Sequence, residues 1–226
     1  VIKFIKRLKN VIDNFWLSMI QNIPGGFGIK LRYLYWKRKF KHCGRNVLID
    51  VGVVIQGAQW ISVGNNVAIG PYSVLVAGPV NEDGLRVKRI KNPDFRFKCG
   101  ELVIGDNVHI SQHCIIQAHG GVEIGNNCGI SAGTKIYSFS NLPRNPEVPS
   151  EEIFFNVFVP EKSYFVSGPI VIGDNVGIAL NSLVLPGVTI AKNSFVAINS
   201  VVLTSFKENS YISGNPAKRV EDRFIK

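Results

Sequence analysis

Four histidines, His42, His109, His113 and His119, supply the imidazoles of this 226-residue sequence, and imidazole is the side chain best suited to take a hydroxyl proton near neutral pH. His119 alone is followed by a flexible pair, Gly120-Gly121, whose backbone amides are candidate donors to a developing oxyanion. No serine or cysteine sits in a recognisable nucleophile elbow, so a base acting directly is favoured over a covalent intermediate. The four cysteines show no CxxC spacing. Cys114 and Cys128 fall at small inward positions and read as packed thiols, which fits a reducing cytosol. A three-histidine zinc site would need a third ligand beside His113 and His119, and His109 is poorly placed for it.

What positions His119 is a repeat of six. From Ile104 to Asn141 an aliphatic residue opens each unit at Ile104, Ile110 and Ile116, then at Ile124, Ile130 and Ile136. Helices repeat at 3.6 and simple strands at 2, so a period of six calls for a short strand and a turn recurring together, that is, a solenoid. The register extends to Cys43, Ile49, Ile55, Val63, Ile69 and Leu75 on one side. On the other it takes in Ile172, Ile178, Val184, Ile190, Val196 and Val202. Eighteen hexads at three per turn predict an all-β prism of about six coils. Every interruption follows a third hexad: two residues at 61–62 and 122–123, and long insertions at 81–103 and 142–171. All of them therefore leave one corner, and His119 stands on that corner between the two long insertions. His42 precedes the first coil, His109 closes a hexad, and His113 occupies a corner without insertions.

Residues 43–220, and most specifically GPIVIGDNVGIALNSLVLPGVTIAKNSFVAINSVVLTSF with the later ISGNPAKRV, resemble the hexapeptide-repeat acyltransferases of the sugar and polysaccharide O-acetyltransferase type. The resemblance implies a left-handed parallel β-helix, and that hand departs from the usual crossover rule. It implies transfer of an acetyl group from acetyl-CoA, with no metal expected, to a hydroxyl of a cell-surface polysaccharide or its precursor, in a homotrimer. Such enzymes often carry a histidine pair after a stretch like IYS. Here the stretch is IYSFSNLPRN, with Asn141 and Leu142 in those places. His119 lies one coil earlier on the same corner, about 4.8 Å away along the stack, and takes the base role by geometry. Carried over to this sequence, the donor positions are Ala179, Ala197, Thr204, Asn215, Lys218 and Arg219. Tyr137, Ser138, Asn141, Phe155 and Phe158 are the expected acceptor contacts. Two alternatives stay open: a zinc enzyme resembling γ-class carbonic anhydrase, and a non-catalytic β-helix scaffold.

Charge sets the first 42 residues apart. They hold ten basic residues against Asp13 alone, out of 26 basic and 16 acidic in the whole chain. Val1, Ile5, Leu8, Ile12, Phe15 and Met19 recur at helical spacing up to Pro24-Gly25-Gly26, predicting a basic amphipathic helix. It either caps the open first coil or touches an anionic membrane surface. Lysines interrupt each apolar run, so neither a spanning helix nor a secretory signal is expected, and a cytoplasmic place, at the inner face of the membrane if the helix binds there, follows. No nucleic-acid motif accompanies the charge. The 81–103 insertion is basic and reads as a solvated loop or an anion-facing one. The 142–171 insertion gathers Phe154, Phe155, Phe158, Tyr164 and Phe165, which need a pocket or a neighbouring subunit to cover them. A short C-terminal helix and a tail at 221–226 complete the expectation.

Overall fold

The computed structural model describes residues 2–155 and 159–224, with the backbone alone for residues 2–10 and 160. Each hexad becomes one short strand, and equivalent strands of successive coils pair in parallel, so the backbone groups of one coil are satisfied by the next. The first face stacks His42–Cys43, Ile61–Val63, Leu102–Ile104, Val122–Ile124, Ile170–Ile172 and Thr189–Ile190. The second face begins with Val47–Ile49 and the third with Val54–Gln56, each continuing through all six coils. The register is the one the sixfold spacing predicts: Ile49, Ile69, Ile110, Ile130, Ile178, Val196 and Ile212 are lateral neighbours in the second face. All seven are buried. Fully burying such a side chain contributes about 1.5–3 kcal/mol, which holds the register against slippage.

The corner from first to second face turns through left-handed asparagines. Asn46, Asn66, Asn107 and Asn127 have φ of 55°, 55°, 57° and 57°. Their carboxamides hydrogen-bond from coil to coil at 3.0, 3.0 and 3.1 Å. Asparagine tolerates this backbone conformation better than other residues with a side chain, and the ladder satisfies its polar end.

Two elements differ from expectation. Among the described residues the chain past Ser210 forms no helix. Ser210–Gly214 joins the second face with Ile212 facing inward, and Ala217–Asp222 pairs with it antiparallel, so a hairpin rather than a tail closes the last coil. The N-terminal region holds two helices, α1 (Ile2–Gln21) and α2 (Gly25–Lys37), with the break where Pro24 stands. The cap is α2. Trp36 and Phe40 enter the core, and the Arg32 guanidinium is buried. Its Nε donates to the Ile49 carbonyl at 2.8 Å and its Nη1 to those of Ile20 and Ile23 at 3.0 and 2.7 Å. That one cation satisfies the carbonyl end of α1 and ties it to the first coil.

The two long insertions are not separate loops. Arg86–Arg89 from the first pairs in parallel with Tyr164–Ser167 from the second, which pairs antiparallel with Phe139–Asn141. This three-stranded sheet stands over the corner that carries His119.

Candidate active site

Stacking of the coils places three residues in one column at the insertion-bearing corner. Ala77, Ala118 and Ser138 are buried and succeed one another through the bonds Ala118 N–H to Val76 O and Ser138 N–H to Gln117 O. The next position is therefore Gly78, His119 and Phe139. The Nδ1 of His119 lies 2.7 Å from the Gly78 carbonyl oxygen. A carbonyl only accepts, so Nδ1 carries a proton, and in the neutral imidazole the lone pair is on Nε2. On the other side the Phe139 ring meets the imidazole edge-on at 6.2 Å between centroids, and Phe165 stacks on Phe139 at 5.1 Å. The imidazole is half-buried and held from two coils.

The glycines after His119 have steric causes. A Cβ on Gly120 would lie 2.4 Å from the Ser138 carbonyl oxygen, and Gly121, at φ +103°, would drive one to 2.5 Å from the Phe95 ring. Their amides are not available to an oxyanion as expected. Gly120 N–H donates to Ser138 Oγ at 2.9 Å and Gly121 N–H to Ala118 O at 2.9 Å. Ser138 is corrected as well. It is fully buried, accepting from Gly120 and donating to the Gln117 carbonyl at 2.8 Å, so it locks the histidine turn and cannot touch an acceptor.

Tyr137 and Asn141 do line a pocket beside Phe139, of about 310 Å³, together with Gln117, Ser140 and Phe165. The Gln117 Oε1 accepts from Phe139 N–H at 3.1 Å, which leaves its NH2 as the end able to donate to a bound molecule. Phe155 is exposed, and Phe158 lies outside the described residues. On the other side of Gly120 a smaller pocket is lined by Arg89, Lys91, Phe95 and Cys99 among others. Burial pushes the Cys99 thiol above its ordinary pKa, and its Sγ donates to the His119 carbonyl at 3.3 Å. It is not a ready nucleophile. The basic charge of the first insertion is partly neutralised, since Arg86 pairs with Glu151 at 2.6 Å and Arg89 with Glu82. A larger concavity, about 570 Å³, lies on the outer first face under residues 93–96 and contains no histidine. His119 itself lines neither of the two smaller pockets, but its chain neighbour Gly120 lines one and its ring neighbour Phe139 the other.

The expected donor positions split. Ala179, Ala197 and the hairpin turn follow one another along the edge from second to third face, where Ala179 N–H donates to Val196 O and Ala197 N–H to Ile212 O, both taken between coils. Asn215 and Lys218 are exposed beside that edge, and Arg219 is paired with Asp222. Thr204 stands apart, following the third-face strand Val201–Val202 on the insertion-bearing corner. His113 is a turn residue at φ 56°, stacked on Tyr72 at 5.6 Å. His109 points outward from the second face. Among the described residues no three His, Cys, Asp or Glu side chains group as metal ligands. Cys114 and Cys128 are buried as expected, and burial pushes the Cys128 thiol up to about 11.

No protein-family model matches the chain. Over 189 residues it is 31% identical to the dTDP-4-amino-4,6-dideoxy-D-glucose acyltransferase of Escherichia coli, covering 81% of this chain and 83% of that one. The chain belongs to the hexapeptide-repeat acyltransferases. It is also 30% identical over 132 residues to the putative lipopolysaccharide biosynthesis O-acetyl transferase WbbJ of E. coli, covering 55% and 62% of the two chains. In structure it is similar to AntD, an N-acyltransferase from Bacillus cereus solved with dTDP and Coenzyme A, with TM-score 0.66, 22% identity, and 82% and 86% of the chains covered. The hexapeptide-repeat acetyltransferase VCA0836 of Vibrio cholerae matches with TM-score 0.53, 20% identity, and 94% and 89% covered. For a member of this family the prism is a left-handed parallel β-helix.

Sequence reading missed Gly78, Gln117 and Phe139 as parts of the site. The signal was present, since counting positions after each third hexad aligns Gly78, His119 and Phe139. The first insertion and the two-residue slip hide their adjacency.

Proposed function

We propose that this acyltransferase moves an acetyl group from acetyl-CoA to a hydroxyl of a sugar in a cell-surface polysaccharide or its precursor, with His119 as general base. The observation that carries the reading is the 2.7 Å contact from Nδ1 to the Gly78 carbonyl, which leaves Nε2 as the proton acceptor. Tyr137, Phe139 and Phe165 present aromatic faces of the kind that cover the apolar side of a sugar ring, and Gln117 and Asn141 supply hydrogen bonds. In the reaction Nε2 takes the hydroxyl proton as the oxygen attacks the thioester carbonyl. The tetrahedral intermediate then expels the CoA thiolate, which recovers that proton from the imidazolium.

The donor positions Ala179, Ala197, Asn215 and Lys218 lie across the third face from His119 and also two or more coils further along the stack, which at ~4.8 Å per coil adds about 10 Å or more to the width of the face. A site shared between copies would close that gap, and we place it in a homotrimer. The third face supports this reading. Its outward ladder runs Val54, Val74, Ile115, Lys135, Leu183 and Val201, aliphatic at all but one position, and Leu180 and Ile198 are exposed on its edge. Light scattering should give three times the chain mass, and a stable monomer at micromolar concentration would remove the shared site.

A second reading is favoured by the E. coli relative and by AntD: the acceptor is the amino group of a nucleotide-linked sugar. The test is to incubate the protein with acetyl-CoA and a panel of hydroxyl- and amino-bearing sugar nucleotides and oligosaccharides, then follow the acetyl increment by mass spectrometry. An increment released by hydroxylamine is an ester and supports the first reading. A resistant one is an amide and supports the second, and none on any sugar sinks both.

A further inference from the structure

Among the residues of α1 whose side chains are described, contact with the body is made by one side. Lys39 pairs with Asp13 at 2.6 Å, Leu17 packs against the core, and the Gln21 carbonyl accepts from Gly52 N–H at 3.0 Å. At 100° per residue these three positions cluster on one side of the helix. The opposite arc carries Val11, Ile12, Phe15, Trp16 and Met19, which are 64%, 49%, 60%, 58% and 58% exposed. Five large apolar side chains on one exposed arc are more than a scatter of surface residues. In sequence the same periodicity continues through Phe4, Ile5 and Leu8, and the basic residues of this stretch are Lys3, Lys6, Arg7 and Lys9. Asp13 is the only acidic residue among the first 42, and it is neutralised on the body side. No helix among the described residues is long and apolar enough to cross a membrane.

We infer that the exposed arc of α1 docks in the plane of an anionic lipid surface. Charge decides the occupant. By helical spacing the sequence puts Arg7 and Lys9 at the two margins of this arc, with Lys3 and Lys6 on the opposite side. An apolar arc with cationic margins, on a helix whose one acid is already paired, matches a negatively charged bilayer, where aromatic residues sit at the headgroup boundary. A second copy of this helix would bring the same cations together. The buried Arg32, bonded to the last carbonyls of α1 and to the first coil, fixes the helix to the prism, so docking orients the whole catalytic body. This inference does not depend on the identity of the acceptor.

The test is cosedimentation of the full chain with phosphatidylcholine vesicles and with vesicles containing phosphatidylglycerol. Binding to the anionic vesicles is expected to weaken about fivefold for each of Arg7 and Lys9 changed to Gln. It should fall further as salt shortens the Debye length. Phe15→Glu with Trp16→Glu, at exposed positions that leave the fold intact by circular dichroism, should abolish it. Equal binding to neutral and anionic vesicles, or none to either, overturns the inference. So does light scattering in which the double variant dissociates an assembly that itself does not bind vesicles, because a second copy then covers the arc.

Discussion

In the second face, one column from Ile49 to Ile212 repeats a branched aliphatic side chain seven times. At the insertion-bearing corner, one column reads Gly78, His119, Phe139, a backbone carbonyl and two unlike rings. Both columns are built by the same stacking of coils. In the first, identical neighbours interlock and the column carries stability. In the second, each coil supplies a different part of one device: an acceptor for the Nδ1 proton, the imidazole, and an aromatic wall. Repetition in the body is what lets the corner be irregular, because the corner inherits its geometry from strands that do not depend on it.

The sharpest way to break this contrast is to truncate the middle of each column. His119→Ala should lower turnover by about 10²–10⁴, the usual worth of a positioned general base, with an unchanged melting temperature. His113→Ala, in a turn without insertions, should leave turnover intact. Ile110→Ala, in the body, should cost about 2–5 kcal/mol of stability, read by denaturant unfolding, while the folded fraction keeps its specific activity. If Ile110→Ala also removes activity at full folding, body and corner are not separable.

Ser138→Ala tests the joint between the two regions. It orphans the buried Gly120 amide, at about 1–3 kcal/mol, and frees the turn that aims His119. A fall in turnover larger than the loss of folded protein is expected, with partial rescue by Ser138→Thr. Thiol labelling draws the same line more finely. Cys99 is exposed and, despite its raised pKa, should become labelled as pH is raised, whereas Cys128, its thiol pushed up to about 11 by burial, should stay unlabelled in the folded protein up to pH 10. The smallest effect concerns the sheet of insertions. Hydrogen bonds from Asn145, and then from Arg86, hold the Glu151 carboxyl below its ordinary value. Its contribution is present above the unfolded value of 4.5 and is lost as pH falls through the lower folded one. Amide exchange over residues 145–151 should therefore quicken below pH 4.5 before the prism responds.

The body was legible in the sequence because its rule is local: one aliphatic residue every six, with asparagine or glycine where the backbone must turn left-handed. The corner was legible only in part. His119 stood out by residue type and by its place after a third hexad. The Ser138 anchor, 18 residues on in sequence, looked like an acceptor contact because a hydroxyl carries no mark of burial. The sheet formed by Arg86–Arg89, Tyr164–Ser167 and Phe139–Asn141 has no periodic signature, and its pairing spans up to 78 residues, between Arg86 and Tyr164. The C-terminal hairpin was missed although Ile212 sits where the second face needs another aliphatic residue, because the resemblance drew attention to the GNPAK turn. At the N-terminus, helical spacing located α1 but not which helix would cap the prism. That choice is made by Arg32, whose burial is intelligible only once the carbonyls it caps are in place.

In the proposed reaction the imidazole of His119 takes the hydroxyl proton. Single-turnover acetyl transfer, measured against pH for the wild-type protein and for His119→Ala, tests that most directly. The wild-type rate should rise with pH and then level off, and the variant should be slower throughout and lack that limb. A variant with the same rising limb, or with wild-type rates, would contradict that role of His119.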